Sequence, residues 1–434
     1  MIPAQPIPFT EATFALVLVL LLLAPLALAG LALINTGLGR SRSAAQSLLG
    51  SLAVVAVTAL AFALVGAAFA GTSADAGHTL HLAGKPWNWL GSGHLFLANF
   101  AAQPAQSQLE LLFEFLAVAL AALIPWGAGA DRLRLTAGCA LAAVLAVVVF
   151  PLAAHWIWTG GWLSQLGINF SLGSGFQDPA GAAVMHVLGG LSALAVAWIT
   201  GPRRGKFPQG EIATAMPGHN AIYILFGCLV ALAGWMAFNA AGAILWLHAP
   251  LTVLPVTAIN TLLSASGAVL ATFTVTRIRF GKPDASLCAN GWLSGLVASS
   301  ACAAVVAPMP ALVIGIVAGI ITPLLVEVLE LAVSIDDPSG AITVHAAGGL
   351  WGLIAAGIFA TQPSAQPGQL LAQFIGIAAL LGLVLPLVYL LFRALNRLVP
   401  FRVEPDGERI GLDLHELGGG AYPEFVLHRD DSYR

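Results

Sequence analysis

DPAGAAVMHVLGGL at 178–191 and DPSGAITVHAAGGL at 337–350 are two versions of one pattern. Eight of the fourteen positions are identical, and each copy places a His eight residues after an Asp. What the repeat means depends on how the two copies lie relative to each other, and the rest of the sequence decides that.

The chain of 434 residues is 59% hydrophobic and only 9% charged. Soluble domains carry about 25% charged residues, so lipid is the solvent for most of this chain. The net charge of -3 selects no class of partner, and no basic cluster suggests nucleic acid. The four cysteines, Cys139, Cys228, Cys288 and Cys302, lack metal spacing and read as small packing residues. No nucleophile–base set or cofactor motif marks an enzyme, and no cofactor is implied.

Spans of about 20 apolar residues predict eleven membrane helices, at roughly 11–35, 46–70, 107–129, 135–157, 178–200, 218–242, 252–276, 286–306, 310–332, 338–360 and 369–396. The first is read as an uncleaved span. The alternative is a signal peptide ending at Ala29. Of the seventeen Lys and Arg, all but Lys85 follow an odd-numbered span. Examples are Arg40 and Arg42, Arg132 and Arg134, Arg203, Arg204 and Lys206, and Arg277, Arg279 and Lys282. Basic loops remain cytoplasmic, which predicts the N-terminus outside and the C-terminus inside. The reading is an all-α polytopic membrane protein, with a membrane domain over 1–400 and a cytoplasmic tail over 401–434. It is placed as a multi-pass protein of the inner (cytoplasmic) membrane.

With that orientation the two copies run antiparallel. Asp178 lies at the outer end of span 5 and Asp337 at the cytoplasmic end of span 10. The halves are therefore two inverted five-helix repeats plus a final long helix, with the functional site expected where they meet. Eight helical residues rise about 12 Å, so His186 and His345 approach the midplane from opposite faces.

Asp-Pro-x-Gly reads as a helix start, with Asp as N-cap and Pro at the first helical position. For Asp337 capping suffices, whereas Asp178 also stands at the outer entrance. Two matched intramembrane histidines are functional candidates that can pass a proton or line a path for a small polar molecule. The bland alternative is a packed, hydrogen-bonded His on each helix. No carboxylate or Cys joins them at metal spacing.

These residues lie within a chain that resembles the ammonium transporter family (Amt/Mep/Rh), as a divergent bacterial-type member, from about Gly30 to Tyr422. The resemblance rests on GLALINTGLGRSRSAAQ at 30–46, GADRLRL at 129–135, HWIWTGG at 155–161, DPAGAAVMH, PGHN at 217–220, GWMAFNAAG at 234–242, LCANGWLSGLV at 287–297, DDPSGAITVHAAGG and GLDLHELGGGAYPEF, in family order. It implies a homotrimer with one pore per subunit. Each pore would recruit ammonium at an outer vestibule, deprotonate it and pass ammonia along twin histidines, here His186 and His345. The resemblance also assigns Trp158 and Phe113 to the vestibule, Asp178 below it, Phe238 to the inner gate and Trp235 to the pore wall.

The departures cluster at the pore entrance. Ala117 stands where the outer gating phenylalanine is expected, and Gly242 where the vestibule serine is. The family's Phe-Gln reads Phe113-Glu114, its Phe-Tyr-Gly-Gly reads Ile34-Asn35-Thr36-Gly37, and the linker from Trp158 to Asp178 is long. Glu114 reads either as a cation or proton acceptor beside the space left by Ala117, or as a residue bonded to a neighbouring helix. Glu110 extends that face towards a water-filled funnel or is an interfacial residue. Glu327 and Glu330 read as interfacial. Trp126 or Trp292 are candidates to fill the missing ring's volume. The tail keeps Gly411-Leu412-Asp413 and Ala421-Tyr422 but has Leu417-Gly418-Gly419 where the family has His-Gly-Glu. This weakens the implied partnership with PII signal proteins. Ammonium transport is the leading reading. The alternatives are an altered cargo or a hydrated-cation path through Glu114, and a non-conducting sensor.

Overall fold

The computed structural model describes residues 9–75, 77–209, 212–361 and 364–422. Ten of its helices are long and apolar enough to cross a membrane: α1 (Glu11–Leu38), α2 (Ser41–Ala70), α3 (Ala105–Ala128), α4 (Leu135–Ile157), α5 (Ala182–Thr200), α6 (Ala221–Leu245), α7 (Leu251–Phe280), α9 (Pro308–Ala332), α10 (Ile342–Phe359) and α11 (Gln369–Leu398). The eighth expected span is α8 (Ala285–Cys302), a helix of 18 residues. It is less apolar than the other ten, and it is among the most enclosed. Most of its residues are buried in the bundle, including Asn290, Ser294, Ser299 and Ser300, so its polar groups meet protein and not lipid. The helices α1, α7 and α11, by contrast, expose Leu22, Leu270 and Leu390 among others.

The helices are not uniform. Five-residue π-helical turns at Leu145–Val149 and Leu380–Val384 immediately precede the short α-helical runs that carry Pro151 and Pro386 near their starts. A wider turn accommodates a ring that cannot donate an N–H. The same device appears where the chain repeats itself. Ala182–Val187 and Ile342–Ala347 are both π-helical, and each contains a repeat histidine.

One expectation needs correction here. Neither Asp178 nor Asp337 is an N-cap with Pro at the first helical position. Gly181 and Gly340 adopt φ of 86° and 67°, a left-handed conformation that stops a helix from starting at Pro. The Asp-Pro-x-Gly run is instead a hook, and α5 and α10 begin just beyond it. Each Asp still caps, but by reaching across the hook. Asp178 accepts from Ala183 and Val184 N–H at 2.9 and 3.0 Å, and Asp337 accepts from Ala341 and Ile342 N–H at 3.0 and 2.7 Å. The helical rise before each histidine is correspondingly shorter than the 12 Å expected from an unbroken helix.

The halves meet through reciprocal contacts. A β-carbon on Gly190 would lie 2.3 Å from Ala346 N, and one on the repeat-equivalent Gly349 would lie 2.8 Å from Ala182 O. The preceding glycines, Gly189 and Gly348, face the third helix of their own halves, at Ala121 O in α3 and Ser294 in α8. The first helices of the halves also cross backbone to backbone. A β-carbon on Gly30 would lie 2.6 Å from Ala231 N, and one on Gly227 would lie 2.7 Å from Gly30 O. Paired exchanges of this kind are what a twofold relation between two repeats produces, and small residues permit the close approach.

Outside the bundle, an antiparallel hairpin, β1 (Gly77–Leu82) and β2 (Lys85–Gly91), fills much of the loop between α2 and α3. It lays Trp87 and Trp89 against Trp162, and Trp89 edge-on to Trp156. Trp156 Nε1 donates to Trp89 O at 2.9 Å. The hairpin thereby braces the end of α4, from which Trp158 projects.

Candidate functional site

The site is built where α5 and α10 cross. Their reciprocal glycine contacts bring the backbones together, and the π turns present His186 and His345 towards each other. The two Nδ1 atoms lie 3.3 Å apart, with ring centroids at 5.2 Å and planes 25° apart. Both rings are buried, at 1% and 2% exposure. Two facing Nδ1 atoms cannot both donate, so the contact holds one proton between a donor and an acceptor. Trp235 of α6 lies flat on His186, with centroids 5.1 Å apart and planes within 8°. Its Nε1 donates to Ser300 Oγ of α8 at 3.2 Å. The pair is therefore held from both halves.

Outward of the pair, Trp158 and Asp178 form a single unit. Trp158 Nε1 donates to Asp178 O at 2.6 Å. One carboxylate oxygen of Asp178 caps α5, while the other, Oδ1, is buried with no partner among the described residues. Both residues line a cavity of about 290 Å³ with Ser164, Ser174, Gln177 and Trp246.

The aromatic entrance differs from the one the sequence suggested. Phe113 meets Trp158, Phe238 and Trp246 edge to face, at centroid distances of 5.3, 5.3 and 5.9 Å. Trp246 stacks on Trp158 at 5.2 Å with planes 5° apart. Neither Trp126 nor Trp292 takes part. Trp126 donates to Ser47 O between α2 and α3, and Trp292 donates to Cys228 O of α6. The residue missed was Trp246. Its signal was available, because Phe238, Gly242 and Trp246 are four apart and share a face of α6 and its end.

The absence of a hydroxyl at 242 has a steric cause. A β-carbon on Gly242 would lie 2.0 Å from Pro179 O. The Asp-Pro hook occupies the space a serine would need. Ala117 is fully buried.

Glu110 is buried and bonded within the chain. Its carboxylate accepts from Ser73 N–H and Oγ at 2.9 and 2.8 Å, and from Gln106 Nε2 at 2.8 Å. Glu114, one turn inward, is 1% exposed, and neither carboxylate oxygen has a partner among the described residues. The expected bond to a neighbouring helix is therefore not what holds it. In the first span, Asn35 Nδ2 ties α1 to Leu123 O of α3 at 3.1 Å. Glu327 pairs with Arg279 at 2.5 Å, and Glu330 with Lys206 at 2.7 Å. Among the described residues, no cluster of His, Cys, Asp or Glu is arranged to hold a metal ion.

A buried ionic clasp ties the end of α5 to the start of α10. Just beyond α5, Arg203 donates to both oxygens of Asp336, at 2.9 Å each, and to Asp131 at 3.1 Å. Arg132 donates to Gly201 O and Asp336 O at 2.8 and 3.0 Å. Burial alone would raise Asp336, but hydrogen bonds from Arg203 and the charges of Arg132 and Arg203 hold it below the usual carboxylate range. Burial lowers Arg132.

The tail folds back over this face. Asp413 accepts from Ala45 and Gln46 N–H at 3.1 and 2.8 Å, and Glu416 accepts from Gln46 Nε2 and Leu135 N–H. Glu408 accepts from Arg204 N–H at 2.5 Å and pairs with Arg402, which reaches Thr200 O at 2.8 Å. The expected 401–434 tail is described only as far as Tyr422, whose hydroxyl meets His219 Nε2 at 3.0 Å.

Comparison with known proteins places this architecture. The model of the Ammonium Transporter Family matches residues 13–422. Ammonium transporter Amt2 of Archaeoglobus fulgidus is 35% identical, over 98% of this chain and 90% of the relative. Ammonium transporter Amt2 of Haloferax mediterranei is 30% identical, over 92% and 87%. Among solved structures, one titled Sensor Amt Protein superposes with a TM-score of 0.84 at 26% identity, covering 93% of this chain and 97% of that one. Mep2 of Saccharomyces cerevisiae superposes at 0.75 with 22% identity, covering 91% of each chain.

Proposed function

The chain belongs to the Ammonium Transporter Family, and from that premise we propose that it moves ammonium across its membrane through a pore lined by His186 and His345. A cation enters over the Trp158 platform, where the indole face attracts it. It gives up its proton near Asp178, and ammonia passes the histidine pair. The observation that supports this path most directly is the buried Nδ1–Nδ1 contact at 3.3 Å. With one proton held between the Nδ1 atoms, one Nε2 is left as an acceptor and the other as a donor for a small polar molecule. Phe238 gates the passage from α6, and Trp235 forms its wall. The subunits assemble as homotrimers with three parallel pores in the cytoplasmic membrane, N-terminus outside. A PII-type partner is the weaker part of the reading, because Glu416 is already engaged within the chain and the neighbouring His-Gly-Glu is missing.

The test is electrophysiology on purified protein in supported membranes. Ammonium evokes currents, and His186→Ala and His345→Ala each abolish them. Undiminished ammonium currents in both variants would sink the histidine path.

One observation favours a second reading. The buried carboxylate of Glu114 has no partner among the described residues, which is costly inside a membrane. A small cation crossing with its charge would use it. Silence towards ammonium, together with currents for another monovalent cation that Glu114→Gln removes, would install this reading in place of the first.

A further inference from the structure

Three facts about one side chain are not accounted for by the path above. Trp246 follows Gly242 by one helical turn, and its ring lies on the vestibule tryptophan, 5.2 Å away and 5° from parallel. It also meets Phe113 edge-on. Its Nε1 is buried with no partner among the described residues, although the residue lines the 290 Å³ cavity beside Asp178.

We propose that Trp246 is a specificity-determining residue of the outer entrance, its ring face serving recognition where a ring is missing at 117 and a hydroxyl at 242. This rests on the ammonium reading given above.

The argument is one of volume and charge. Ala117 leaves Phe113 without a ring above it on α3, and Trp246 supplies an aromatic neighbour from α6 instead. The Pro179 carbonyl excludes a serine at 242, so α6 contributes an indole ring one turn later in place of a hydroxyl. The exchange changes the chemistry of recognition. A hydroxyl can accept a hydrogen bond from an entering cation, whereas an indole N–H only donates. Trp246 therefore acts on a cation through its π face, and its buried N–H takes no part in recognition. Two stacked indoles also form a wide, stiff wall on one side of the cavity. The entrance selects small monovalent cations that press against that face and disfavours methylated amines, whose charge is held farther from the ring.

Three variants test this in purified, reconstituted protein: Trp246→Ala, Trp246→Leu and Trp246→Phe. Leu keeps apolar volume without a π face, and Phe keeps the face without the N–H. Ammonium and methylammonium transport are measured across concentrations, and ammonium binding is followed independently by tryptophan fluorescence. Trp246→Ala and Trp246→Leu are expected to raise the ammonium KM about tenfold with a small change in maximal rate. Trp246→Ala also raises methylammonium relative to ammonium, and Trp246→Phe stays within about threefold of wild type. Wild-type KM and selectivity in both the Ala and Leu variants would overturn the proposal while leaving ammonium transport standing. A wild type that does not conduct, but binds ammonium with an affinity weakened in Trp246→Ala and Trp246→Leu, would overturn transport and leave the recognition role standing. Loss of maximal rate at unchanged KM and unchanged binding in all three variants would show a structural residue only.

Discussion

A serine at position 242 would place its β-carbon 2.0 Å from Pro179 O. That atom is backbone and belongs to the hook that caps α5, so it cannot yield as a flexible side chain would. Gly242→Ser, which restores the residue usual in the family, is therefore expected to harm the protein. The forecast is a loss of about 3 kcal/mol, the upper range for overpacking, read as a lower midpoint in thermal unfolding of detergent-solubilised protein, with no gain in ammonium affinity. A gain in affinity at unchanged stability would show that the hook moves aside. The histidine crossing has similar constraints. Gly190→Ala brings a β-carbon within 2.3 Å of Ala346 N and should separate the two rings. The expected signature is a transport loss comparable to His186→Ala in a variant that still assembles, measured beside its folded yield.

At the scale of elements, α5 and α10 are each fixed at two places. The Asp hooks set their starts, and the cytoplasmic clasp joins the end of α5 to the start of α10. Asp336 is the common acceptor of that clasp. Removing its charge leaves Arg203 and Arg132 facing each other with only Asp131 between them. Asp336→Asn should cost about 3 kcal/mol, the lower range for breaking a buried pair. The pH dependence has a definite sign. The folded state holds Asp336 below its unfolded value of about 3.9, so its contribution is present above that value. It is lost as pH falls through the folded pKa. Wild-type unfolding midpoints should drop below pH 4 more steeply than those of Asp336→Asn. Parallel pH profiles would remove Asp336 from the account.

At the scale of the whole molecule, the tail is a strap across the end of α5, the loop between α3 and α4 and the starts of α2 and α4. Asp413 is its principal fastening, with bonds to Ala45, Gln46 and Ala421 N–H. Asp413→Ala should release it at a cost of about 3 kcal/mol, from charge-assisted bonds of roughly 1.5–3 kcal/mol each. Trypsin should then cleave after the exposed Arg409 several-fold faster while the membrane domain stays intact; an unchanged cleavage rate would show that the other contacts suffice.

Much of this molecule could be read from its residues. The repeat, the alternation of basic loops and the hydrophobic runs located ten apolar helices and the enclosed α8. Matched positions in the repeat also picked out the two histidines that meet. Hydropathy is dense in this chain, and it reports burial and lipid contact well. The entrance was legible only in its gaps. Ala117 and Gly242 announced that something was missing, but not that Trp246 would stack on Trp158 beside Phe113. That depends on where the end of α6 points. The hook at Asp178 was misread as a first helical turn, because Pro fits both and only the left-handed glycine decides. The partner of Glu110 was not legible because Ser73 is distant in sequence. The hairpin at 77–91 carried a readable alternation and a turn at Ala83-Gly84, but its packing on Trp162 is a tertiary fact.

The reciprocal crossing of α5 and α10 has a consequence for direction. A lining made of two equivalent elements related by a twofold looks alike from either side. A molecule climbing towards it from the cytoplasm meets the mirror order of the groups met from outside. Such a constriction has no built-in valve. Inward and outward passage share one intrinsic barrier at the histidines, and net flow follows whichever side holds more substrate or more protons. Any rectification must come from what is not duplicated: the indole-walled entrance outside and the strap within.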